Sequence, residues 1–342
     1  MSQGANTIAT GGLAAEPAAS PSERWSFTRW LALRILFSVL VLIVLSVLVF
    51  AATTILPGNV ADVILGQNAT PAARAALVHQ LHLDLSAPAR YLNWMAGIAH
   101  LNFGTSLQSG LPVFPSVAEA FGHSLILAGA AAVVMVCGSV WIGLATGLRA
   151  GSPWDRLITL LTFISLSMPE FVLGSILIWL FVILIPLLPA LSLVDSETPI
   201  TGWITMLILP VVTVIPVTGA YIVRTMRTAT SDVVGQDFVE MAELRGLSRR
   251  RIIWRHVLPN ALVPMINVLA LNMGWLVGGV VVVEVLFQYP GIGRLLLESV
   301  EQRDLPMVQG AAMLIGIVYI ALNLAADIGI AVLDPRVGRK FA

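Results

Sequence analysis

Six stretches of nearly unbroken apolar sequence, each long enough to cross a bilayer, restrict the folds open to this chain. They run roughly over 31–54, 123–148, 157–185, 202–223, 261–286 and 307–332. A spanning helix needs about 20 mostly apolar residues. The runs are apolar on every face and lack the alternation of barrel strands, so they are read as helices. The fold expected is an all-α polytopic membrane protein with six transmembrane helices. Pro210 and Pro216 lie inside the fourth run, where a kink is expected. Only 11% of the residues are charged, against 57% hydrophobic. A soluble domain carries about 25% charge, which excludes that class.

The basic residues set the orientation. Fifteen of the nineteen Lys and Arg flank the runs on one side: before the first, between the second and third, between the fourth and fifth, and after the sixth. Arg74, Arg90, Arg294 and Arg303 fall on the other. The positive-inside rule then places both termini in the cytoplasm. Residues 1–30 are read as a disordered cytoplasmic tail, since positions 1–23 are rich in Ala, Gly, Ser, Thr and Pro. The run over 35–55 exceeds the about 7–15 apolar residues of a cleavable signal, so it is read as a retained first span, 31–54. Segment 55–122 becomes extracytoplasmic. Thr70-Pro71 there opens a short helix reaching about Leu83, either a cap over the outer mouth or a docking surface for a binding protein. The core domain covers 123–340, with a cytoplasmic loop over 224–260.

Several functions are excluded or lack support. The net charge is zero, which gives no nucleic-acid partner. The one lysine, Lys340, precedes Phe341, so no phosphate-cradling Gly-Lys-Ser/Thr loop exists. The histidines, His79, His82, His100, His123 and His256, lie outside the deep parts of the runs, so an intramembrane Ser/His hydrolase lacks its base. His79 and His82 have no carboxylate or Cys companion that would make a metal site, and they are read as solvated. Cys137 is read as a small buried apolar side chain.

The loop over 224–260 carries the strongest signal. Residues 236–245 read as a helix with Phe238, Met241 and Ala242 on one face. Asp237, Glu240 and Glu243 come early and Arg245 late, as the helix dipole favours. Gly246 suits the C-terminal cap, and Ser248 can cap a second helix carrying Ile253, Trp254, Val257 and Leu258. Pro259 marks a bend into the fifth span. Two short helices with a sharp turn make a knob for a partner's groove. The alternative is an amphipathic loop lying on anionic lipid.

Glu240-Met241-Ala242-Glu243-Leu244-Arg245-Gly246, followed by Leu258-Pro259, resembles the coupling motif of binding-protein-dependent ABC permeases. Met241 and His256 depart from the motif, while Glu240, Ala242, Gly246, Leu258 and Pro259 keep its register. Further pieces follow in order: Leu56-Pro57-Gly58, Arg90-Tyr91-Leu92, Phe103-Gly104-Thr105-Ser106, Ser167-Met168-Pro169-Glu170-Phe171, Tyr289-Pro290-Gly291-Ile292-Gly293, Asp304-Leu305-Pro306 and Leu333-Asp334-Pro335-Arg336. From about 31 to 340 the chain is similar to the first permease subunit of dipeptide/oligopeptide ABC importers. The resemblance implies the type I ABC importer permease fold and a bacterial inner-membrane location. It also implies a second homologous permease, two cytoplasmic ATPases and an extracytoplasmic solute-binding protein. No cofactor is expected in this chain, since ATP and Mg would be bound by the ATPases. ATPase coupling would fall to Glu240, Met241, Ala242, Glu243, Arg245, Gly246, Leu247, Leu258 and Pro259. The peptide subfamily usually has a basic residue near Glu240 or Glu243, and this chain is acidic there.

Glu170 replaces a small residue of the family. A carboxylate in mid-membrane costs about 2.5–3.5 kcal/mol on insertion scales and needs a cavity or a partner. It is read either as lining the translocation path, with Ser167, Met168, Asn267 and Asn272 as further candidates, or as a structural group between subunits. The cargo expected is a di- or oligopeptide; nickel, an opine, glutathione or a sugar would use the same machinery. An ion-coupled secondary transporter would need midplane coupling carboxylates or an internal repeat, and the chain has one deep carboxylate and no evident repeat.

Overall fold

The computed structural model describes residues 27–55, 70, 85–194 and 198–333. The tail, the helix expected after Thr70-Pro71, His79, His82, Leu56-Pro57-Gly58, Asp334-Pro335-Arg336 and Lys340 lie outside the described residues. The helices, in chain order, are α1 (Phe27–Ile55), α2 (Ala87–Ala99), α3 (Val113–Gly147), α4 (Pro153–Ser167) and α5 (Glu170–Ile178, continued by a π-turn over Trp179–Leu184). They continue with α6 (Ile200–Val234), α7 (Asp237–Leu244), α8 (Arg249–Ile252, followed by a π-turn over Ile253–Val257), α9 (Leu258–Leu286), α10 (Ile292–Glu301) and α11 (Leu305–Leu333). The fold is all-α: among the described residues the sole β feature is an isolated bridge between Thr105 and Pro112.

Helices α1, α3, α6 and α11 are each long and apolar enough to cross a membrane, and the α4–α5 pair makes a fifth candidate. α9, 29 residues long, occupies the fifth expected run. The third run is not one straight helix: α4 and α5 meet at 107°. Proline disfavours the helical conformation of the residue before it. Met168 is accordingly extended, at φ −106° and ψ 128°, and the helix stops at Ser167. Pro210 and Pro216 leave α6 unbroken. Pro210 removes the N–H that would bond to the Met206 carbonyl, and the Ser192 hydroxyl donates to that carbonyl instead at 2.7 Å.

α3 starts at Val113, earlier than the apolar run suggested. Pro112 and Pro115 sit where helix N–H groups have no partner to lose. Val113, Val117 and Ala120 pack with Phe103, Ile292 and Met307 into a separate core cluster. α3 and α6 approach closely along a stripe of small residues, Ser139, Gly143 and Gly147, all buried. A Cβ at Gly143 would lie 2.6 Å from that of Met226, and one at Gly147 2.6 Å from the Arg227 carbonyl oxygen. Small residues at this spacing let membrane helices touch backbone to backbone. Cys137 is exposed rather than buried. It lies on the outward face of α3 with Val133 and Trp141, at one-turn intervals.

Polar clips tie the bundle. Asp155 accepts two bonds from Arg227, both 2.7 Å, and the Gly151 N–H at 2.8 Å. This pair explains why α6 stays helical through residues expected to be loop. Arg34 and Asp327 join α1 to α11 at 3.2 Å. Asp304 accepts from the Ser106 hydroxyl and from Leu107 N–H at 3.1 Å, which latches the 103–106 turn to the start of α11.

Candidate functional site

The segment from Gln236 to Leu258 folds as two short helices joined by a tight turn. α7 ends in a six-residue cap. The Leu247 N–H bonds to the Ala242 carbonyl at 3.2 Å, and the Gly246 N–H bonds to the Glu243 carbonyl at 2.8 Å. These are the two bonds of a Schellman motif. Gly246 sits at φ +73° with no neighbour within 4 Å of a Cβ placed there. Conformation, not space, therefore requires glycine at that position.

Val239 and Ala242 are the buried residues of α7, at 3% and 6% exposure. They pack with Ile222, Met226, Ile252 and Val257, and partly buried Leu247 and Leu258 close over them. The buried face is thus not the expected Phe238–Met241–Ala242 face. Phe238, Met241 and Leu244 point outward at 44%, 51% and 74% exposure. Asp237, Glu240, Glu243 and Arg245 are exposed around them. α7 is apolar on two sides, so periodicity alone did not distinguish the core face from the presented one. The two-sided pattern was the available signal.

Two local expectations change. Ser248 has N-cap backbone angles, but its side chain makes no capping bond. Pro259 does not bend the chain: the π-turn over Ile253–Val257 runs into α9 with Val257 in helical conformation. A proline N-terminal in a helix loses no bond there, and the wider turn before it relieves the clash of its ring with a preceding carbonyl.

A second cluster forms at the α4–α5 break. Pro169 directs the chain into α5, and Glu170 is its first residue, half-buried. Ser167 is exposed and its hydroxyl bonds back to the Phe163 carbonyl at 2.9 Å, while Met168 is half-buried. The Glu170 carboxylate lies against α9 at Gly279, where a Cβ would sit 3.4 Å from Oε1. Asn267 and Asn272 belong to α9, Asn272 about two turns before Gly279; their side chains are outside those described.

A third cluster involves the Tyr289–Gly293 segment, which the sequence leaves without a role. Glu284 is fully buried. It accepts from the Ser124 hydroxyl at 2.5 Å and from the Gly293 N–H at 2.7 Å. A Cβ at Gly291 would fall on the Glu284 carboxyl, so Gly291-Ile292-Gly293 is the loop that wraps an acid. The Tyr289 hydroxyl donates to the His123 carbonyl at 2.9 Å, and burial beside Glu284 pushes its phenol up. A carboxylate a few residues before a Gly-rich turn was the signal for this lock. It ties α3 to the end of α9 and the start of α10 and offers no open chemistry.

No group of three metal-ligating side chains occurs among the described residues. The described residues form a bundle of long apolar helices with one broken span candidate and a short two-helix knob. The sequence matches the model described as "Binding-protein-dependent transport system inner membrane component" over residues 139–339, and its N-terminal companion over 27–128. The chain belongs to this family, the membrane-spanning permease component of ABC transporters of the inner membrane. It is 30% identical to a probable peptide ABC transporter permease of Sinorhizobium fredii, over 89% of this chain and 97% of that one. It is 29% identical to the dipeptide transport system permease of Escherichia coli K12, over 86% and 94%. It is 32% identical to the glutathione transport system permease of Salmonella typhimurium, over 90% and 98%.

Proposed function

We propose that this chain forms half of the translocation path of an ATP-driven importer of di- or oligopeptides. A homologous permease supplies the other half, and an extracytoplasmic binding protein delivers the solute. Two ATPase subunits, which bind ATP and Mg, dock on the 236–258 knob from the cytoplasm. The observation that carries this reading is the outward Phe238–Met241–Leu244 stripe on a helix whose other side is anchored in the core. Such a helix fits a groove and passes a push to α6 and α9 as a rigid body. The peptide cargo rests on likeness to the peptide and dipeptide permeases. The glutathione permease favours a second reading, in which the solute is a small γ-linked peptide. In either case the path passes the α4–α5 break, with Ser167, Met168, Glu170, Asn267 and Asn272 as its candidate lining.

The proposal carries a topology: six spans including α9, with both termini and the knob in the cytoplasm. In a Cys137→Ser background, Arg250→Cys should label only from the inner side of sealed vesicles and Leu111→Cys only from the outer. Labelling of position 250 from outside sinks the scheme. The turn is tested by Gly246→Val. A side chain in the left-handed region costs about 1–2 kcal/mol, so uptake should fall several-fold with membrane insertion unchanged. Full uptake by that variant separates the knob from coupling.

A further inference from the structure

Glu170 has a chemistry that the fold leaves unused. Among the described residues no hydrogen bond or ion pair reaches its carboxylate. The other acid of the broken span, Asp155, is fully engaged by Arg227 and Gly151. Arg224, Arg227, Glu284 and His123, on the neighbouring helices, are committed elsewhere. On α6, Arg224 lies over the Phe163 ring at 4.6 Å and Arg227 holds Asp155. On α9, Glu284 is held by Ser124 and Gly293. On α3, His123 bonds to the Pro290 carbonyl at 3.1 Å.

The placement is built by the backbone. The bend at Pro169 brings the first residue of α5 against α9. Gly279 supplies the room: Oε1 and Cδ of Glu170 lie 3.4 and 3.9 Å from the position of its missing Cβ, and Val214 of α6 lies 4.0 Å from the same point. Three helices therefore meet beside one carboxylate. The N-terminus of α5 favours a negative charge there but supplies no counter-ion. An ionisable group in a membrane segment with no protein partner is a functional candidate whose partner comes from elsewhere.

We propose that Glu170 is a specificity-determining residue of the path: it meets an ammonium or guanidinium group of the passing solute and favours solutes of net positive charge. Among the described residues one negative charge and no unengaged positive one lie at this meeting point, so it attracts a cation without a matching site for the solute's own carboxylate. This inference rests on the importer reading above.

The test uses the complete transporter in proteoliposomes. One arm needs no solute. In a Cys137→Ser/Met168→Cys background, a trimethylammonium thiol reagent should react about tenfold faster than a sulfonate reagent, the scale of one close charge. Glu170→Gln should bring the two rates together. The second arm measures uptake of Lys-Ala, Ala-Ala and Asp-Ala with Met168 restored. Glu170→Gln should lower the Lys-Ala to Ala-Ala uptake ratio about tenfold, and Glu170→Asp should keep most of it. A thiol at position 168 that is inert to both reagents overturns the proposal, and so do unchanged ratios in both arms. An equal loss for all three dipeptides with an unchanged reagent ratio makes Glu170 structural and also overturns it. Charge-selective labelling with no dipeptide uptake by the unsubstituted chain rejects the peptide cargo and supports the place of the carboxylate on the path.

Discussion

Leu244→Asp should abolish ATP-driven uptake while the protein still inserts and folds. Leu244 is the most exposed member of the α7 stripe and makes no contribution to the core beneath it. Surface substitutions of this kind change stability by about 0.5 kcal/mol or less. In the proposed docked complex the same position would be covered. A carboxylate buried there without a partner costs about 3–5 kcal/mol, which is at least about a hundredfold in affinity at 1.4 kcal/mol per tenfold. The variant should therefore purify without the ATPases. Val239→Asp is the contrasting change: Val239 is core, so that variant should lose folding as well as docking. If Leu244→Asp retains the ATPases at normal stoichiometry, the stripe is not the docking surface.

Asp155→Ala should give the largest loss of stability. Asp155 is nearly inaccessible, and it holds Arg227 through two bonds and the Gly151 N–H through a third. Removing one partner of a buried pair costs about 3–5 kcal/mol. The Arg227 side chain is 34% exposed, so the lower end of that range applies here. The clip also holds the start of α4 against α6, the helix that leads into the knob, so uptake should fall with stability. Thermal unfolding of the detergent-solubilised complex measures the first effect. Asp155→Leu combined with Arg227→Met should unfold later than Asp155→Ala alone, because it strands neither charge. Equal midpoints for Asp155→Ala and the unsubstituted protein would contradict this account of the clip.

The helical class of the fold was legible because apolar length is a property of composition along the chain. The breaks were harder to read. Pro169, Pro210, Pro216 and Pro259 look alike in sequence, yet only Pro169 ends a helix. Ser192 rescues the carbonyl freed by Pro210, and the π-turn before Pro259 absorbs its ring. Those compensations come from residues far away or from backbone geometry. In the knob, the cap at Gly246 followed from a local rule, since glycine alone takes φ +73° freely. The choice between Phe238 and Val239 as core depended on what α6 and α8 offered. Cys137 was misplaced for a similar reason: a membrane helix is apolar on its outward face too, so hydrophobicity did not signal burial.

Cross-linking from the knob tests the central claim most directly. With Met241→Cys in a Cys137→Ser background, the chain is co-expressed with its ATPases, one of which carries a cysteine in the groove facing the membrane. Oxidation should give a covalent adduct of permease and ATPase, and its yield should change when ATP is trapped, because the proposed closure of the ATPases moves the knob. Absence of any adduct across a scan of groove positions, in membranes that still take up solute, would contradict the account.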